Sequence, residues 1–133
     1  MSGTAAFFEG LGFRPGRFFV VADVFAECGG GLLLALGFLQ PAAAAAIISV
    51  MIVAIATVHW SNGLLALTNG IELPLLYLTA AVSLALTGPG AYSIDSVLGL
   101  NRCWTPQMTA IVLAAGVVGA FASLGMRRRA PTV

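Results

Sequence analysis

From Ala42 to Val58 the chain runs seventeen residues, AAAAAIISVMIVAIATV, without one charged side chain. A helix needs roughly 20 mainly apolar residues to cross the ~30 Å hydrocarbon core of a bilayer. Three further apolar stretches, about 18–39, 72–87 and 106–126, surround this one, which extends over about 42–60. Helices of a soluble bundle need a polar face, and the second and fourth stretches have almost none. Membrane β-barrels are written in short alternating segments, which long Ala- and Leu-rich runs are not. The pattern predicts an all-α integral membrane protein, an antiparallel bundle of about four transmembrane helices in a single domain covering residues 1–133.

The composition agrees. Only 8% of the 133 residues are charged, where a soluble domain carries about 25% to solvate its surface. A chain this short cannot hide a 59% hydrophobic content inside itself, so its solvent is lipid. The net charge of +1 offers no footprint for nucleic acid. Cys28 and Cys103 stand far apart, make no metal-ligand spacing, and read as two unpaired thiols.

Punctuation residues delimit the spans. Pro15 and Pro41 suit first turns of helices. The first two spans meet so closely at Gln40-Pro41 that they form an antiparallel hairpin. Ser61-Asn62-Gly63 breaks the second span and Gly88-Pro89-Gly90 ends the third, which is short for a perpendicular crossing. Residues 3–14, with Phe7, Phe8, Leu11 and Phe13 around Glu9, read either as a helical turn lying in the membrane interface or as an irregular start. Residues 127–133 form a basic tail. If the four spans are complete, both termini share a side with Arg14, Arg17 and Arg127–Arg129, against Arg102 on the other. That side is then cytoplasmic by the positive-inside rule.

Few residues can carry chemistry. Asp23 and Glu27 are four apart and share a face of the first span, continuing to Gly30 and Gly31. An acid within a span costs about 2.5–3.5 kcal/mol on insertion scales, so it faces protein or water. Glu27, the deeper one, reads as a proton carrier, as an anchor for a bound head group, or as a protonated acid bonding across helices. His59 is the sole histidine, which suits a proton shuttle, a quinone partner or an interfacial anchor beside Trp60. No histidine-rich metal site is available to one chain. Glu72 opens the third span, where capping its N-terminus is a sufficient role. His59, Asn62, Asn69 and Glu72 belong to one loop and its two helix ends, and can converge as a small polar site. Thr79, Ser83 and Thr87 offer a hydroxyl stripe for interhelical bonds, and Gly116–Ala120 and Gly119–Ser123 offer small-residue packing contacts within the chain or between copies.

The segments GTAAFFEGLGF, AECGGGLLLALGFLQP, MIVAIATVHWSNG, NGIELPLLYL and LTGPGAYSIDSVLG, in this order over roughly residues 3–99, resemble the DoxX family of small bacterial membrane proteins. The resemblance implies a four-helix core in the cytoplasmic (inner) membrane, crossed several times. It also implies a further helix ahead of the FFEGLGF-like segment, supplied either by an upstream start or by a partner or second copy. The 106–126 helix is then an appended one, and an added upstream span would put the termini on opposite faces. Glu27, His59, Asn62, Asn69 and Glu72 fall at family motif positions. The functional expectation is an accessory or partner subunit associated with redox or quinone-linked metabolism. The alternatives are a small oxidoreductase acting on quinone or thiol compounds, and a small solute carrier. No cofactor or nucleophile motif is evident, intrinsic catalysis is left open, and quinone is the one cofactor class implied. The expected partners are the lipid bilayer and either a second copy or another membrane subunit.

Overall fold

A computed structural model describes residues 2–128, and within them every regular element is helical. A short helix α1 (Ser2–Gly10) precedes the long helices α2 (Gly16–Leu36) and α3 (Gln40–Asn62). Then come α4 (Glu72–Thr87), the single-turn α5 (Ile94–Val97) and α6 (Pro106–Gly125). Helices α2, α3 and α6 are long and apolar enough to cross a membrane, and α4 is a shorter apolar helix. Arg129 and the rest of the basic tail lie outside the described residues.

Helix α3 is central. Its most apolar window is 39% buried within the chain, against 11% for those of α2 and α6. That explains the alanine run: Ala43, Ala44 and Ala45 are almost fully covered because α2, α4 and α6 all pack on this helix. Small side chains let those backbones approach without leaving voids. The core joins Ala44, Ile47, Ile48 and Met51 of α3 to Ala81 and Ala85 of α4, with Leu113 and Val117 of α6 against it. Gly116 seats α6 on α3, since a Cβ there would meet the Ala45 carbonyl oxygen at 2.7 Å, and Ala120 one turn on is fully buried. Gly30 likewise brings α2 against Ala43 and Ile47, while Gly31 faces open space. By contrast α2 and α4 make no extensive contact, so a groove runs between them alongside α3.

Within this chain the hydroxyl stripe of α4 makes no interhelical bond among the described residues. Thr79, Ser83 and Thr87 each donate to the carbonyl four residues earlier, at 2.7, 2.8 and 3.0 Å, and all three are exposed. The helix satisfies its own hydroxyls. Cys28 and Cys103 are free and exposed.

At the α2–α3 turn the chain reverses through Gly37 (φ 61°) and Leu39 (φ 46°). A Cβ on Gly37 would fall on Ser93, so this position requires glycine. Fully buried Asp95 clasps the turn: its carboxylate accepts from Leu39 N (2.8 Å), Gln40 N (3.1 Å) and the Trp104 indole N–H (3.0 Å). The Asp95 amide donates to the Gly37 carbonyl, and Gln40 Nε2 donates to the Leu84 carbonyl of α4 at 2.8 Å. One acid thereby caps α3 from a distant loop and ties three helices together at this end.

Candidate functional site

The site lies away from this clasp, between the middle of α2 and the last turns of α3. Both helices widen by one residue there, in π-type turns at Phe25–Gly29 and Ile55–His59. Such turns swing the following side chains to a new face and are frequent at functional sites. In α3 the Thr57 hydroxyl donates to the Val53 carbonyl at 2.8 Å, competing with the regular helix ladder. In α2 the glycines at 29–31 relax the backbone beside the wide turn. One turn holds Glu27 and the other His59.

These two residues, from different helices, line the same pair of adjoining clefts. One, of about 220 Å³, adds Met51, Leu73 and Tyr77 and opens into the groove beside α4. The other, of about 210 Å³, adds Asp23, Val53 and the aromatic ring of Phe8. Asp23 is half-buried and also borders a third cleft of about 220 Å³ with Ser49 and Ser123. Glu27 is exposed toward the groove. Among the described residues no hydrogen bond is made to either carboxylate, which leaves both acids able to bind something else.

The loop beneath His59 is stitched together. The His59 Nδ1 lies 2.8 Å from the Asn69 carbonyl, and Asn62 Nδ2 donates to the same oxygen at 3.2 Å. A carbonyl only accepts, so this bond puts a proton on Nδ1 and leaves Nε2 unpartnered by this bond. Asn69 takes the left-handed conformation (φ 60°) that aims its carbonyl inward, and Thr68 donates to the Asn62 carbonyl at 2.8 Å. Glu72 does not cap its own helix. Its carboxylate instead accepts from Ala66 N at 2.8 Å, closing the loop across the α3–α4 connection. Thus His59, Asn62, Asn69 and Glu72 come together, yet three of them are spent on loop architecture and His59 alone reaches the clefts.

Helix α1 roofs this end. Phe7, Phe8, Leu11 and Phe13 line the Asp23–Glu27–His59 cleft, and Phe13 is 1% exposed. The Glu9 carboxylate accepts from Gly16 N at 3.1 Å, satisfying an unpaired amide at the start of α2. Sequence reasoning missed the Asp95 clasp. Its signal was the lone acid of a loop that also carries Trp104.

A protein-family model, DoxX, matches residues 1–60. Residues 1–60 are a DoxX-like segment. The match takes in α1, α2 and α3 as far as Trp60, and so includes Asp23, Glu27 and His59. It stops before Asn62, Asn69 and Glu72, and the NGIELPLLYL and LTGPGAYSIDSVLG segments lie beyond it. No curated protein and no solved structure matches the chain. With three apolar helices of spanning length, the chain is an all-α membrane protein whose first 60 residues are similar to the DoxX family.

Proposed function

We propose that this DoxX-like chain is a multi-pass protein of the bacterial cytoplasmic membrane that acts as an accessory subunit in redox- or quinone-linked metabolism, with the Asp23–Glu27–His59 cleft as its binding site. The observation that carries this reading is that Glu27 and His59, thirty-two residues apart and each in a widened turn, line the same two clefts. Each cleft is below the about 300–1,000 Å³ of a drug-sized site. Each therefore suits one ring or head group rather than a whole extended cofactor.

The chemistry of the walls fits a quinone head. A protonated acid can donate to a quinone carbonyl, and the free Nε2 of His59 can accept from a quinol hydroxyl. Aromatic Phe8 and Tyr77 offer faces for a ring to pack against. A bound quinone would supply the electron-carrying chemistry; the protein's part is to seat the ring and keep water from it. Arg14, Arg17, Arg127 and Arg128 gather at the α1 end, against Arg102 at the clasp end, which favours a cytoplasmic α1 face.

The test is purification in mild detergent followed by mass analysis of lipid extracts and of attached proteins. A co-purifying quinone together with a second membrane subunit supports the proposal. Turnover of a quinone by a thiol compound in the isolated chain would replace it with the enzyme reading.

A further inference from the structure

Leu11–Phe13 and Arg127–Arg128 are fastened to each other across the roof of the cleft. Arg127 Nε donates to the Leu11 carbonyl at 2.8 Å, and Arg128 N donates to the Gly12 carbonyl at 2.9 Å. The Arg127 guanidinium also stands 5.7 Å from the centre of the Phe13 ring, a cation–π distance. Gly12 has φ 96°, and a Cβ there would strike the Arg128 carbonyl, so the junction is built for glycine. Phe13 continues the aromatic chain inward to Phe19, with ring centres 4.9 Å apart. On its other side α1 is held by Glu9 on the Gly16 amide. Arg127 and Arg128 thus strap an aromatic lid over this mouth of the cleft.

The lateral side is built differently. Glu27 is exposed there, and the residues flanking it on α2 and α4, Val24, Phe25, Leu73, Leu76 and Tyr77, are between 50% and 74% exposed. The apolar rim is matched to hydrocarbon, whereas the exposed Glu27 carboxyl within it is costly there until a hydrogen-bonding ligand head covers it. Below His59 the α3–α4 loop is held to the ring by the bond to the Asn69 carbonyl, which Asn62 shares.

We infer that the cleft is sealed from water by the α1 lid and its C-terminal arginine strap and is loaded sideways from the bilayer, so its ligand is a membrane-dissolved amphiphile with a hydrogen-bonding head. This rests on the reading of Asp23, Glu27 and His59 as the binding site, and it narrows the ligand by route: a water-soluble solute has no path to it while the strap is closed.

Site-directed spin labelling separates the two routes. A nitroxide is attached at Val53→Cys, a cleft-lining position, in a chain carrying Cys28→Ser and Cys103→Ser and reconstituted in phosphatidylcholine–phosphatidylglycerol vesicles. Oxygen, which concentrates in the bilayer, should relax the label strongly, and a water-soluble nickel chelate several-fold less. Arg127→Ala should raise the chelate's effect several-fold, and Gly12→Ala, which breaks the strap from the other strand, should do the same. Arg14→Ala, on the same face but outside the strap, should leave it unchanged. Equal access of chelate and oxygen in the parent, or an unchanged chelate effect in both strap variants, overturns the inference. The label reports the route alone: a shielded label in a protein whose Glu27→Gln variant binds a short-tailed benzoquinone as tightly as the parent would leave the lid standing and sink the binding site.

Discussion

Replacing Asp95 tests whether one buried acid holds the far end of the bundle. Asp95→Ala strips three donors of their acceptor: Leu39 N, Gln40 N and Trp104 Nε1. An unsatisfied buried donor costs about 1–3 kcal/mol. The Gln40 amide is fully inside, whereas the bonds to Leu39 and Trp104 are partly open to water, so the total falls at about 3–5 kcal/mol. Asp95→Asn keeps the volume but sets an NH₂ against an N–H, which costs about 2 kcal/mol. The assay is reversible unfolding in mixed micelles with rising dodecyl sulfate, followed by circular dichroism. Amide exchange should quicken first at 37–40, where the clasp is anchored. An Asp95→Ala stability within about 1 kcal/mol of the parent would refute the clasp as a structural bond, since three orphaned donors cannot cost so little.

Two further substitutions probe the packing. Gly116→Val forces α6 away from the Ala45 backbone and should destabilise by about 1–3 kcal/mol in the same unfolding assay, as overpacked helix contacts do. Ser83→Ala should change stability by less than about 0.5 kcal/mol, because its hydroxyl bonds only to its own helix at an exposed position. A loss of about 1 kcal/mol or more there would mean that a neighbouring chain uses the stripe.

The all-helical membrane class was legible because burial in lipid imposes it on composition. Seventeen uncharged residues in a row leave no other way to pair the backbone. That α3 would be the central helix was not legible, since its apolar pattern looks the same all round whether lipid or protein surrounds it. Asp23, Glu27 and His59 stood out as ionisable groups in apolar surroundings, which is a local property of the sequence. That Glu27 and His59 share clefts depends on two widened turns, and a one-residue shift in helix phase has no signature at the level of residue type. Asp95 was hidden for a related reason: two of its three partners are fifty-five and fifty-six residues away, and only Trp104 is near in sequence. The Glu72 carboxylate was read as a cap for its own helix and instead closes the preceding loop, because Ala66 N offers it an unpaired amide.

The central claim is that Glu27 and His59 jointly bind the head of a membrane-dissolved ligand. Its most direct test is equilibrium binding of a short-tailed benzoquinone to the reconstituted chain, compared among the parent, Glu27→Gln, His59→Asn and the Ser83→Ala control. Losing one hydrogen bond of about 1.5 kcal/mol corresponds to roughly a tenfold weaker dissociation constant. The account predicts about tenfold weakening in each of the two site variants and none in the control. Equal affinity across all four proteins would contradict it.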